Sequence, residues 1–94
     1  MTTLRIEHPV RDFARWKQAF DSDPAGRQRS GVRRYQVLRS VDDPDYVLID
    51  LEFDGREQAE ALLTTMRGIW GRPGHGVSSN QKARIAEVVE TVAY

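Results

Sequence analysis

The stretch that decides the fold is residues 32–53, VRRYQVLRSVDDPDYVLIDLEF. Two runs rich in β-branched and aromatic residues flank DDPD. Proline presets φ there and aspartate side chains bond nearby backbone, so the segment reads as a β-hairpin. A turn over Asp42–Asp45 sets Val41 opposite Tyr46. Leu38 then faces Ile49 and Gln36 faces Leu51, while Arg39, Val37 and Tyr35 face Leu48, Asp50 and Glu52. The later strand has one wholly apolar face, Val47, Ile49, Leu51 and Phe53, which belongs under a covering layer. Its other face, Tyr46, Leu48, Asp50 and Glu52, is mixed. A slip of one residue would exchange the two faces of the earlier strand.

Upstream, TLRIEH alternates with Leu4, Ile6 and His8 on one side, which predicts a strand that Pro9 stops. Asp12 has the chemistry of a helix N-cap. Phe13, Trp16, Ala19 and Phe20 follow at helical spacing, until Pro24, Gly26 and Gly31 interrupt the pattern. Downstream, Asp54 with Glu57 resembles a capping box. Ala59, Leu62, Leu63, Met66 and Trp70 then form a helical stripe that Gly71 ends. After the glycine-rich stretch GRPGHGVSSN (71–80), ARIAEVVETVAY reads as a final strand because Val88, Val89 and Val92 are β-branched.

The resulting order, β-α-β-β-α-β, is the split-βαβ or ferredoxin-like arrangement: an α+β fold with two helices on one face of a four-stranded antiparallel sheet. Residues 1–94 make one domain, and a chain this short has a thin core. The uncovered sheet face is expected to carry Tyr35, Val37, Leu48 and Tyr46. Burying it against a second copy, as a homodimer, is the economical solution.

Composition narrows the function. Without cysteine there is no disulfide framework, thiolate nucleophile or cysteine-held metal, which fits a cytoplasmic protein. Neither a secretory leader nor a membrane-spanning apolar run is read in the sequence. Fourteen basic residues balance fourteen acidic ones, so nucleic acid is not an expected partner. DYVLIDLEF lacks the glycine of an RNA-recognition strand and carries Asp50 and Glu52 instead. Two histidines without paired ligand spacing give no metal site.

Several residues have two readings. His8 is either a hydrogen-bonded histidine at the core edge or an acid/base group in a pocket, since an imidazole titrates near neutrality. His75 sits in a stretch with neither the lysine nor the following helix of a phosphate-binding loop. That stretch is a connection or a lid. Trp16, Met66 and Trp70 are core residues that would also wall an apolar pocket, with Arg34, Gln36 and His8 as its polar groups. Arg27, Arg29, Arg33, Arg34 and Arg39 either clamp an anion or pair with carboxylates such as Asp50 and Glu52.

The DFARWKQAFD helix, the hairpin from Ser30 to Phe53 and the AEALLTTM helix together resemble the dimeric α/β-barrel proteins. Within these, they are most similar to small proteins related to the antibiotic-biosynthesis monooxygenases. The resemblance spans nearly the whole chain and rests on packing patterns, not catalytic signatures. It implies two chains packed sheet to sheet as a barrel, each with a pocket between sheet and helices. Members include cofactor-independent oxygenases, haem-degrading enzymes, cyclases and isomerases. The haem-degrading branch uses an asparagine on the first strand with a tryptophan and a histidine on or near the second helix. Here the first strand offers Arg5, Glu7 and His8, and His75 lies beyond Gly71 and Pro73, so no cofactor is expected.

The expectation is a small-molecule enzyme, a cofactor-independent oxygenase or cyclase acting on a hydrophobic, aromatic metabolite. His8 or His75 would be its base, Trp16, Met66 and Trp70 its wall, and Arg34 with Gln36 its polar contacts. The alternative is a non-enzymatic ligand-binding or dimerisation module.

Overall fold

The computed structural model describes residues 1–71 and 81–94. The elements are β1 (Thr2–Pro9), α1 (Phe13–Asp21), β2 (Arg34–Arg39), β3 (Tyr46–Phe53), α2 (Arg56–Trp70) and β4 (Lys82–Glu87). The strands form one antiparallel sheet in the order β2-β3-β1-β4, a ferredoxin-like βαββαβ fold. Strand alternation builds the floor of the core. Leu4, Ile6 and His8 of β1 and Val47, Ile49, Leu51 and Phe53 of β3 are buried beneath the helices. Trp16 and Phe20 of α1 and Ala59, Leu62, Leu63 and Ile69 of α2 close the core from above.

Local chemistry sets the helix ends. Asp12 caps α1, its Oδ1 accepting from the backbone N–H of Ala14 at 3.0 Å and Arg15 at 3.4 Å. The expected box of Asp54 and Glu57 is corrected by one residue. Gly55 is the N-cap of α2, and Gln58 reaches back to accept its N–H at 3.3 Å. Asp54 instead pairs with Arg33 at 2.6 Å.

The hairpin register also differs by one residue. Arg34, Gln36 and Leu38 stand opposite Glu52, Asp50 and Leu48, while Tyr35 and Val37 stand opposite Leu51 and Ile49. The loop takes in Val41, which is 98% exposed, and Ser40 closes it by donating its N–H to Tyr46 O at 3.0 Å. Ser40 Oγ holds the N–H groups of Asp42 and Asp43, and Asp43 Oδ1 holds that of Asp45, which stabilises the longer loop. One extra loop residue turns every side chain of β2 over. Tyr35 and Val37 therefore lie on the helix side and Arg34 and Gln36 on the open side, the reverse of the sequence expectation.

The open face is accordingly polar. Thr3, Arg5 and Glu7 of β1 are flanked by Glu52, Asp50 and Leu48 of β3 and by Ala86, Arg84 and Lys82 of β4. Arg5 grips Asp50 with two bonds of 2.8 and 2.9 Å, and Arg34 grips Glu52. The final strand is shorter than its sequence suggests. Val88 donates to Met1 O, past the last β1–β4 pair of Thr2 and Glu87, and residues 88–94 continue exposed without regular structure. No described helix is long and apolar enough to cross a membrane.

Candidate functional site

The side chains with most chemistry meet where the end of β1 runs beneath the gap between α1 and α2. A cavity of about 60 Å³ lies there. Ile6, His8 and Ile49 form its floor, Trp16 and Phe20 one wall, and Met66, Ile69 and Trp70 the other. The turn after α1 supplies Asp23 and Arg27.

His8 is on the helix side because β1 alternates, and it is only 2% exposed. Its Nδ1 lies 3.0 Å from Pro9 O. A carbonyl can only accept, so Nδ1 carries the proton, and in the neutral ring Nε2 is then the lone-pair nitrogen. Trp16 meets the imidazole edge to face at 6.0 Å and stacks on Phe20 at 5.2 Å. Tyr35, turned inward by the register of β2, meets Phe20 edge to face at 5.3 Å.

The structure brings together His8, Trp16, Met66 and Trp70. It does not bring Arg34 and Gln36 to them. Both line a wider polar depression of about 660 Å³ on the opposite face of the sheet, beside Arg5, Asp50 and Glu52. The Glu52 carboxylate beside it raises the Arg34 guanidinium further above its ordinary value, by hydrogen bond first and charge second. His75 lies outside the described residues. Two polar residues that sequence reasoning did not assign to the cavity are Asp23 and Arg27, and the Arg27 guanidinium covers Phe20 at 3.8 Å and Tyr35 at 4.9 Å. The signal for Arg27 was present among the five clustered arginines, but only the turn geometry distinguishes it from its neighbours.

A haem-sized ligand does not fit these residues. The helix side of β1 carries Thr2, Leu4, Ile6 and His8 with no asparagine. The cavity is also several times smaller than the roughly 300–1,000 Å³ of an ordinary small-molecule pocket.

No protein-family model matches the chain, and comparison with curated proteins finds no relative. Solved structures do resemble it. A proposed antibiotic biosynthesis monooxygenase from Deinococcus radiodurans has a TM-score of 0.73 at 19% identity, covering 100% of this chain and 98% of its own. SnoaB, a cofactor-independent oxygenase from Streptomyces nogalater, has 0.74 at 16%, covering 99% and 97%. A dimeric ferredoxin-like protein from an uncultured marine organism has 0.68 at 13%, covering 97% of each chain. At these identities the likeness is one of fold: the chain shares the ferredoxin-like fold of these structures.

Proposed function

We propose that this protein is a small-molecule enzyme of the monooxygenase-like type that works as a homodimer and acts on an aromatic metabolite in the His8 cavity. The single observation that carries this reading is a buried imidazole, tautomer fixed by Pro9 O, on the wall of an aromatic-lined cavity. A cofactor-independent oxygenase asks little more of its protein. His8 Nε2 takes a proton from a CH₂ group activated by a ring and a carbonyl. The carbanion passes its electrons to O₂, a C–O bond forms, and the O–O bond of the resulting peroxide breaks. The CH₂ becomes C=O and one water leaves. Trp16 and Trp70 hold the ring and exclude water. The fold it shares with a dimeric ferredoxin-like protein supports pairing with a second copy.

Oxygen uptake with benzofuranone, a small two-ring ketone, tests this reading. Wild-type protein is expected to consume one O₂ per ketone formed, with His8→Ala slower by about 10²–10⁴-fold. His8→Ala and His75→Ala variants that both match wild type would remove the assignment. The second reading, a ligand-binding or dimerisation module without chemistry, is favoured by the 60 Å³ volume. It gains if the protein is a dimer that turns over nothing.

A further inference from the structure

We infer that Arg27 is the anion-binding residue of this cavity, so that it favours aromatic ligands bearing an oxyanion, either a carboxylate or the enolate that forms when His8 takes the substrate's proton. The inference rests on the reading above that the cavity takes a ligand.

Arg27 reaches the cavity because the chain after α1 reverses sharply, with two residues in left-handed conformation, Asp23 at φ 55 and Gly26 at φ 64. The side chain is 12% exposed. Burying a cation costs free energy unless its donors are satisfied or reach open space. Among the described residues no Arg27 nitrogen is both buried and without a partner, so the donors it does not use within the protein face outward. Nη1 donates to Phe20 O at 2.7 Å, and the plane rests on Phe20 and Tyr35. Asp23, the carboxylate in the cavity, is held mainly by the Arg27 backbone N–H at 2.9 Å. Its distance to Nε is 3.5 Å, longer than the roughly 2.7–2.9 Å of a charge-assisted bond. Among the described residues Nη2 donates to no acceptor.

A guanidinium with donors to spare, on the same wall as Trp16 and above the same floor as His8, matches a planar oxyanion attached to a ring. Arg34 is the contrast: exposed, paired with Glu52 and on the other face of the sheet. Arg27 also supplies what Arg34 was expected to supply, a cation to steady the conjugate base formed when His8 takes a proton.

The protein's two tryptophans, Trp16 and Trp70, both line the cavity, so the two indole N–H resonances of ¹⁵N-labelled protein report its occupancy. The probes are benzoate and benzamide, equal in shape and different in charge. Benzoate is expected to shift both resonances with a Kd at least roughly tenfold below that of benzamide. In Arg27→Gln the benzoate Kd should rise roughly ten- to hundredfold while that of benzamide stays put. Equal affinity of wild type for both probes overturns the inference while leaving a ligand pocket in place, and it decides the matter even if Arg27→Gln fails to fold. No shift with either probe overturns the pocket reading and the inference together.

Discussion

The imidazole of His8 and the indole of Trp16 meet edge to face, 6.0 Å apart at 70°, and they come from different layers of the fold. His8 rises from the sheet because β1 alternates, and Trp16 descends from α1 because it lies on the helix's buried stripe. Their contact fixes where sheet and helix leave a gap, and the cavity occupies that gap. Packing of sheet against helix and the shape of the cavity are therefore coupled at this point.

Trp16→Ala should expose that coupling. Truncating a buried tryptophan removes its contacts with His8, Phe13 and Phe20 together, at a cost of about 3–5 kcal/mol. Urea unfolding measures it, and a loss below about 1 kcal/mol would mean that the indole is not packed as described.

The register of β2 makes two adjacent residues unlike. Tyr35→Ala loses an aromatic contact with Phe20 and a cation–π contact with Arg27, and should cost about 1–2 kcal/mol. Gln36→Ala, on the open face, should stay within about 0.5 kcal/mol. Reversed magnitudes in the same denaturation experiment would restore the alternative register.

Gly31 has φ 99, and a Cβ there would sit 2.9 Å from Gln58 Nε2. Gly31→Ala should destabilise by about 1–3 kcal/mol. Adding Gln58→Ala should recover only part of this, because the backbone conformation is unfavourable whatever the neighbour does. Full recovery in thermal melts would show that contact alone was responsible.

Tyr46 donates its hydroxyl to Glu7 Oε1 at 2.7 Å, and that bond holds its phenol above the ordinary tyrosine range. Since the protonated form is the one bonded, the stabilisation is complete below pH about 10 and fades as pH climbs through the higher folded value. A late step should appear when phenolate absorbance is followed. Tyr46→Phe should remove that late step and Glu7→Gln should move it to lower pH. A late step that persists in Tyr46→Phe would assign it elsewhere.

Element order was legible in the sequence because it rests on periodicity. Leu4, Ile6 and His8 declare one period, and Leu62, Leu63 and Met66 another. Register was not, because it turns on whether Val41 ends a strand or enters a loop. Ser40 and Asp43 decide that by side-chain bonds to backbone N–H groups, an arrangement composition does not announce. The shift in register then spread to the site, because Arg34 and Gln36 lie across the sheet from the pocket they were expected to line. His8, Trp16, Met66 and Trp70 were unaffected, since each depends on its own element's period. Arg27 needed the left-handed turn at Asp23 and Gly26, which no periodicity encodes.

The central claim is that His8 is poised as a base through Nε2. The most direct test is the ¹⁵N spectrum of the imidazole nitrogens, where the protein's two histidines give two sets of signals and a His8→Gln variant identifies one of them. With the ring neutral, the account expects His8 Nδ1 protonated and Nε2 unprotonated, with the Nε2 signal moving when benzoate is added. A His8 ring protonated at Nε2, or one whose signals ignore the ligand, would contradict it.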